Sequence, residues 1–256
     1  MKNTVVGCAA LVVAALTACT VTAQEAAEGK LKTSLSAGVT LTDGNSETLQ
    51  ANSTLLTEGE RARLGSVRAG IEANYGENRV KAAGEDGVTT DRNDTTIENA
   101  RAFANAKKTL SPRYFTSVDG GVQYDKIAKI DYRAILAPGL GAYLLKNDST
   151  TLSIEVGPAY IWEKVADVTD NYPAARAAQR LDHALSETAK IWQSAEFLPM
   201  ADDFGDYLMN VEVGAEAALN SRMNLRLVLQ NKHDSTPGAG LEKNDLTLIG
   251  GVSLSL

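Results

Sequence analysis

The sequence predicts an all-β fold: an antiparallel transmembrane β-barrel of about twelve strands, with ten as the alternative, preceded by a signal peptide. Three observations carry this reading. Apolar and polar side chains alternate with period two from residue 31 to the end, and a strand points successive side chains to opposite faces. The first residues have the layout of an export signal. Beyond them no stretch approaches the roughly 20 apolar residues of a membrane-spanning helix. A chain that crosses a membrane with strands must close them into a barrel, because lipid cannot satisfy an open strand edge.

The export signal occupies residues 1–23. Lys2 supplies the positive start and residues 5–16 the apolar run. Val21-Thr22-Ala23 forms a small-x-Ala cleavage site, so the mature chain begins at Gln24. Leu16-Thr17-Ala18-Cys19 offers the alternative of a lipobox with Cys19 lipidated. Residues 24–30 form a short periplasmic segment and 31–256 the barrel. Cys8 and Cys19 are the two cysteines; both lie in the leader, so the mature chain has no disulfide chemistry. A net charge of −7 argues against nucleic acid, which needs a basic stripe.

The elements follow in order. Leu31, Thr33, Leu35, Ala37, Val39 and Leu41 oppose Lys32, Ser34, Ser36, Gly38, Thr40 and Thr42 in the first strand. Asp43-Gly44-Asn45-Ser46 turns the chain, since Gly and Asn tolerate positive φ. The second strand reaches about Leu56, and 57–62 are read as a short polar connection. Val67, Ala69, Ile71, Ala73 and Tyr75 mark the third. Residues 77–94 lack periodicity and read as a loop. Strand four, near 95–109, opposes Ala100, Ala102, Ala104 and Ala106 to Asn99, Arg101, Phe103 and Asn105, which favours strand over the helix that alanine propensity allows. Strands five (113–126) and six (130–145) follow. The seventh places Leu152, Ile154, Val156, Tyr160 and Trp162 opposite Ser153, Glu155, Gly157 and Glu163. Pro158 predicts a bulge or irregularity there, since proline cannot donate to the ladder.

Residues 167–177 read as a second long loop. Residues 178–199 admit one long strand, two strands, or a helix from 174 to 189. An even strand count favours a split at 186–188. Met209, Val211, Val213, Ala215 and Ala217 then oppose Asn210, Glu212, Gly214 and Glu216, and Leu225, Leu227 and Leu229 oppose Asn224, Arg226, Gln230 and Lys232. The last strand sets Leu246, Leu248, Gly250, Val252, Leu254 and Leu256 against Asp245, Thr247, Gly251, Ser253 and Ser255, with Ile249 as an apolar intruder. Twelve strands place both termini in the periplasm.

Several short stretches resemble one family. Thr42-Asp43-Gly44-Asn45-Ser46-Glu47-Thr48 follows the first strand; Asp131-Tyr132-Arg133 precedes Pro138-Gly139-Leu140-Gly141; Glu155-Val156-Gly157-Pro158, Asp202-Asp203-Phe204, Ser235-Thr236-Pro237 and Asn244-Asp245 come later. Their order and spacing over residues 31–256 resemble the salt-induced outer-membrane protein family (YdiY-like). The resemblance implies a barrel in the outer membrane of a Gram-negative bacterium, with no catalytic residue to carry over. The chain departs from it by ending in Leu256 rather than an aromatic residue and by a shortened stretch near 178–190.

The predicted inner face carries Arg68, Arg101, Arg133 and Arg226 among Glu72, Asp119, Asp131, Glu155, Glu196, Glu212 and Glu216. Such a lining makes either a charge-selective pore or a paired, filled interior; the sequence leaves both open. His183 beside Asp182, and His233 beside Asp234 and Ser235, raise the alternative of an outer-membrane lipid or lipopolysaccharide hydrolase. Adjacent strand residues face opposite sides, which weighs against a triad. Glu85, Asp86, Asp91, Asn93 and Asp94 lack calcium-loop spacing. The expected function is therefore a small passive channel or structural envelope protein, not an enzyme, with no cofactor or metal. A soluble periplasmic barrel or a lipoprotein is a further alternative. Expected partners are outer-membrane lipid, lipopolysaccharide and the barrel-assembly machinery, and the oligomeric state stays open. Intact mass of the purified protein tests the leader: we expect a chain starting at Gln24 without acyl groups, whereas an acylated chain starting at Cys19 would make it a lipoprotein barrel.

Overall fold

The computed structural model describes residues 31–42, 47–61, 65–83, 89–238 and 240–256. The leader with Ala23, Gln24 and Cys19, the 24–30 segment, the turn at 43–46, and Glu85 and Asp86 lie outside the described residues. The described strands are β1 (Leu31–Thr42), β2 (Glu47–Arg61), β3 (Gly65–Ala83), β4 (Thr89–Thr109), β5 (Tyr114–Asp125), β6 (Ile130–Lys146), β7 (Thr150–Val165), β8 (Val168–Ala184), β9 (Ala189–Pro199), β10 (Tyr207–Ala218), β11 (Met223–Asp234) and β12 (Asn244–Ser255). Each pairs antiparallel with its sequence neighbours, and β1 closes on β12. Twelve strands therefore replace the alternative of ten, and both ends of the barrel chain lie on one side.

The alternation works out physically as expected. On β7, Ser153, Glu155, Ala159 and Ile161 are buried inside, while Ile154, Val156, Tyr160 and Trp162 are exposed outside. Cross-strand partners share a face, so this parity propagates around the barrel through the register. Closure runs from Ser34↔Ser255 to Ala37↔Val252, and the Leu256 amide donates to the Thr33 carbonyl at 2.9 Å. Gly251 makes the approach possible: a Cβ there would lie 2.5 Å from the Ala37 carbonyl oxygen.

Three local expectations need correction. Residues 57–61 belong to β2. Residues 77–83 and 89–94 are not loop but a continuation of the β3–β4 hairpin, paired as far as Ala83↔Thr89 past a register shift at Gly76/Glu77. Residues 168–177 are likewise strand, and the β7–β8 connection is only Ala166 and Asp167, with φ of 48° and 67°. Positive φ at both central residues is the hairpin-turn solution that matches strand twist. The β3–β4 hairpin runs past both neighbours, β2–β3 pairing stopping at Glu47↔Arg79 and β4–β5 pairing at Asn99↔Asp125. β8 leaves continuous pairing with β9 at Ala177↔Phe197, keeping one bridge at Ala174↔Met200, while β7 stays paired with β6 as far as Ile130↔Val165. Beyond the level at which an outer face must be apolar, alternation has no cause and disappears from the sequence. Pro158 does sit at an irregularity, as expected, with no residue inserted. It lies opposite Pro138, and the β6–β7 ladder is interrupted from Leu136↔Tyr160 to Leu140↔Val156 with its register unchanged. Two residues without amide hydrogens occupy one position, so the missing bonds cost nothing further along the ladder.

The interior is not uniformly polar. Ala137, Ala159, Ile161, Ala174, Leu198 and Leu208 form a buried cluster on the inner wall from β6 to β10, with Ile135 and Tyr172 packed against it. The outer face is apolar and open, Leu225 and Leu227 being 53% and 51% exposed. We expect Leu227→Arg to reduce the folded fraction in a lipid-refolding assay far more than Arg226→Leu. An arginine on the outer face near the bilayer midplane costs about 2–4 kcal/mol; equal folded fractions would contradict the face assignment.

Candidate functional site

The site is the lumen, and a belt of ion pairs fills its middle. Arg176 of β8 reaches Glu196 of β9 at 2.6 Å, Asp119 of β5 at 3.1 Å and Glu155 of β7 at 3.3 Å. Lys107 of β4 reaches Glu155 at 2.5 Å. Asn105 donates to Asp119 at 2.7 Å and Asn210 to Glu196 at 3.3 Å. Arg133 of β6 pairs with Glu163 of β7 and, at 3.0 Å, with Asp234 of β11. Arg133, Arg176 and Glu155 are buried. Charges withdrawn from water are tolerable only when paired and hydrogen-bonded, which is the state of every charge in this belt.

The belt also reports the shape of the wall. β6 and β11 stand five places apart in the strand order. In a circular twelve-stranded barrel, strand spacing and tilt would separate them by about 23 Å. A touching arginine and aspartate span about 14 Å between Cα atoms at full covalent reach. The wall therefore bends inward at this level, and the Arg133–Asp234 pair crosses the lumen.

On one side of the belt, towards the chain termini, aromatic and small residues interlock. The Trp192 ring lies over Gly214, where a Cβ would collide with it. Its indole N–H donates to Glu212 at 2.6 Å, Gln230 donates to the same carboxylate at 3.0 Å, and Arg226 stacks 5.0 Å above the ring. Lys190 pairs with Glu216 at 3.5 Å. On the other side a cavity of about 360 Å³ opens between the walls and the β11–β12 connection. A smaller one, of about 20 Å³, lies beside Glu72, Arg226 and Val228.

Of the residues singled out in the sequence, Asp119, Arg133, Glu155 and Glu196 meet in the belt. Glu212, Glu216 and Arg226 line the terminal half. Arg68 faces Glu58 at 3.9 Å, and Arg101 sits 5.0 Å over Phe103 rather than in contact with its cross-strand neighbour Glu72. Asp131 departs from the expectation. A register shift between Ile130 and Tyr132 moves Ile130 to the inner face, and Asp131 pairs at 2.5 Å with Lys164, away from Arg133. His183 accepts or donates a bond with Thr150 at 2.8 Å on the face opposite Asp182. His233 stacks on Tyr207 at 5.2 Å, while Ser235 turns to Asp206 at 3.2 Å. Neither histidine meets a serine and a carboxylate together.

The sequence reading missed Lys107, Glu163, Arg176 and Asp234. Arg176 lay in the supposed loop at 167–177, where its inner neighbours Ala174 and Ala178 and outer neighbours Ala175 and Ala177 give alternation no contrast. The parity shared by Arg176, Arg180 and Asp182 was the available signal. Because Arg176 compensates three carboxylates, we expect Arg176→Met to lower stability to urea in lipid vesicles by about 3 kcal/mol at neutral pH. The folded variant then binds protons more readily than the unfolded chain, so its deficit should shrink as pH falls towards 4. A pH-independent deficit would contradict the arrangement.

Comparison with known proteins adds the following. No curated protein matches the chain. Among solved structures, the NanC porin in its rhombohedral crystal form superposes with a TM-score of 0.52 at 10% identity, covering 89% of this chain and 100% of that one. The KdgM porin gives 0.46 at 9% identity, covering 89% and 99%. The translocator domain of the autotransporter NalP from Neisseria meningitidis gives 0.42 at 12% identity, covering 98% and 96%. The fold is thus the porin-like β-barrel. A family model described as protein of unknown function, DUF481, matches residues 35–254, and the chain belongs to that family.

Proposed function

We propose that the protein is a narrow outer-membrane channel that admits water and small cations and holds back solutes of sugar size. The observation that carries this is the belt. Lys107, Arg133 and Arg176 stand against Asp119, Glu155, Glu163, Glu196 and Asp234. Three cations against five carboxylates leave an acidic constriction, and a charged ring at a constriction sets the sign of the passing ion. The cross-lumen pair sets the bore.

Supporting features lie outside the lumen. The apolar outer face suits lipid, and the Tyr160 and Trp162 rings pack at a tilt with centroids 4.7 Å apart near the end remote from the termini, where an interfacial aromatic girdle belongs. In this reading the termini face the periplasm, the outer leaflet's lipopolysaccharide surrounds the long hairpins, and the assembly machinery inserts the barrel. The salt-induced character implied by the family resemblance is part of the same reading.

Liposome swelling and reversal potential test it. We expect rapid equilibration of potassium chloride, no entry of disaccharides, and a reversal potential in a salt gradient that favours the cation. Disaccharide entry would contradict the narrow bore. Permeability equal to protein-free vesicles for every solute would make the barrel a plugged, structural envelope protein instead.

A further inference from the structure

We infer that the 360 Å³ cavity beyond the belt is a binding site for a small organic anion with an apolar body. Its volume falls in the range of about 300–1,000 Å³ typical of small-molecule sites. Two cations line it from well-separated strands, Arg101 on β4 and Lys232 on β11, five places apart in the strand order. Among the described residues neither has an ion-pair partner, although Arg101 also lies 5.0 Å over the Phe103 ring. Every lumen cation of the belt has such a partner, Lys190 pairs with Glu216, and Arg226 rests on Trp192.

Arg101 and Lys232 are both half-buried at the cavity wall. Asp125, Glu242 and Asp245, the cross-strand neighbour of Lys232, share that wall, and among the described residues none of them forms an ion pair with either cation. One Asp125 oxygen accepts from the Ile127 and Ala128 amides at 3.1 and 3.0 Å, and Asp119, Glu196 and Asp234 are held by belt arginines. An anion between the two cations would satisfy both. The rest of the wall specifies its body: Ile130, Ile135 and Leu208 contribute an apolar flank, and Leu241 faces it from the β11–β12 connection.

That connection forms the roof. Its root is fixed by Thr236 and Ser235, which donate to Asp206 at 2.6 and 3.2 Å. Its middle rests against the β7–β8 turn, where a Cβ on Gly238 would lie 3.4 Å from that of Ala166. The cavity is therefore walled on the far side as well as at the belt. The site stands on its own geometry and does not require the channel.

Equilibrium binding to the full barrel in lipid nanodiscs tests the inference, with empty nanodiscs as the blank. The probes are benzoate, its neutral isostere benzamide, and inorganic phosphate. We expect saturable benzoate binding at concentrations on the order of 10 mM or below. Benzamide and the Arg101→Met and Lys232→Met variants should each bind about tenfold more weakly, the scale of one charge-assisted hydrogen bond. Lys190→Met should leave benzoate affinity unchanged. Heat-modifiable gel mobility verifies folding of each variant; if neither methionine variant folds, benzoate against benzamide on the wild type decides. Absence of saturable binding, equal affinity for benzamide, or wild-type affinity in folded variants would overturn the site. Phosphate competing as well as benzoate would overturn its apolar half. A barrel that binds benzoate yet conducts nothing keeps the site and refutes the channel.

Discussion

Charges on the inner wall of a membrane barrel must find partners among the other inward side chains, on neighbouring strands or across the lumen, because lipid outside and ladder bonds within the wall offer none. This constraint organises the molecule. Period-two alternation sends polar residues inward on every strand, and the register lines them up by face. The resulting acids and bases are too many to stay hydrated in a narrow bore. They condense into the belt around Arg176 and Arg133, and the wall bends inward to let the Arg133–Asp234 pair close. The bore follows from electrostatics as much as from strand number.

The division of the lumen follows from the same constraint. Where charges pair, the lumen is narrowed; where Arg101 and Lys232 find no carboxylate in contact, a cavity remains. The terminal half is filled differently, by Trp192 over Gly214 and by Glu212 held between indole and amide donors. The inner apolar cluster from β6 to β10 closes off water from the wall behind the belt, which strengthens each pair by lowering the local dielectric.

Most of the barrel was legible in the sequence where lipid imposes a pattern. β7, β10, β11 and β12 alternate large apolar with polar residues because one face must be apolar, and their faces were read without error. Legibility failed where that pressure ends. The far ends of the β3–β4 and β7–β8 hairpins, 77–83, 89–94 and 168–177, do not alternate large apolar with polar residues, so strand looked like loop. The belt was half legible for the same reason. Glu155 sits between Ile154 and Val156, and Asp119 and Glu196 each have one large apolar neighbour, Val118 and Phe197, whereas Arg176 sits among alanines. Asp131 was misplaced by a bulge that no single-strand pattern reveals. Partners five strands apart, such as Arg133 and Asp234, are set by barrel curvature, and no local spacing encodes them.

Single-channel conductance of wild type against Arg133→Ala tests the central claim most directly, since this change removes the strut across the lumen while leaving the outer face intact. The account predicts small discrete steps for the wild type and clearly larger ones for the folded variant. Steps of equal size in the two proteins would show that the cross-lumen pair does not set the bore, and would contradict the account.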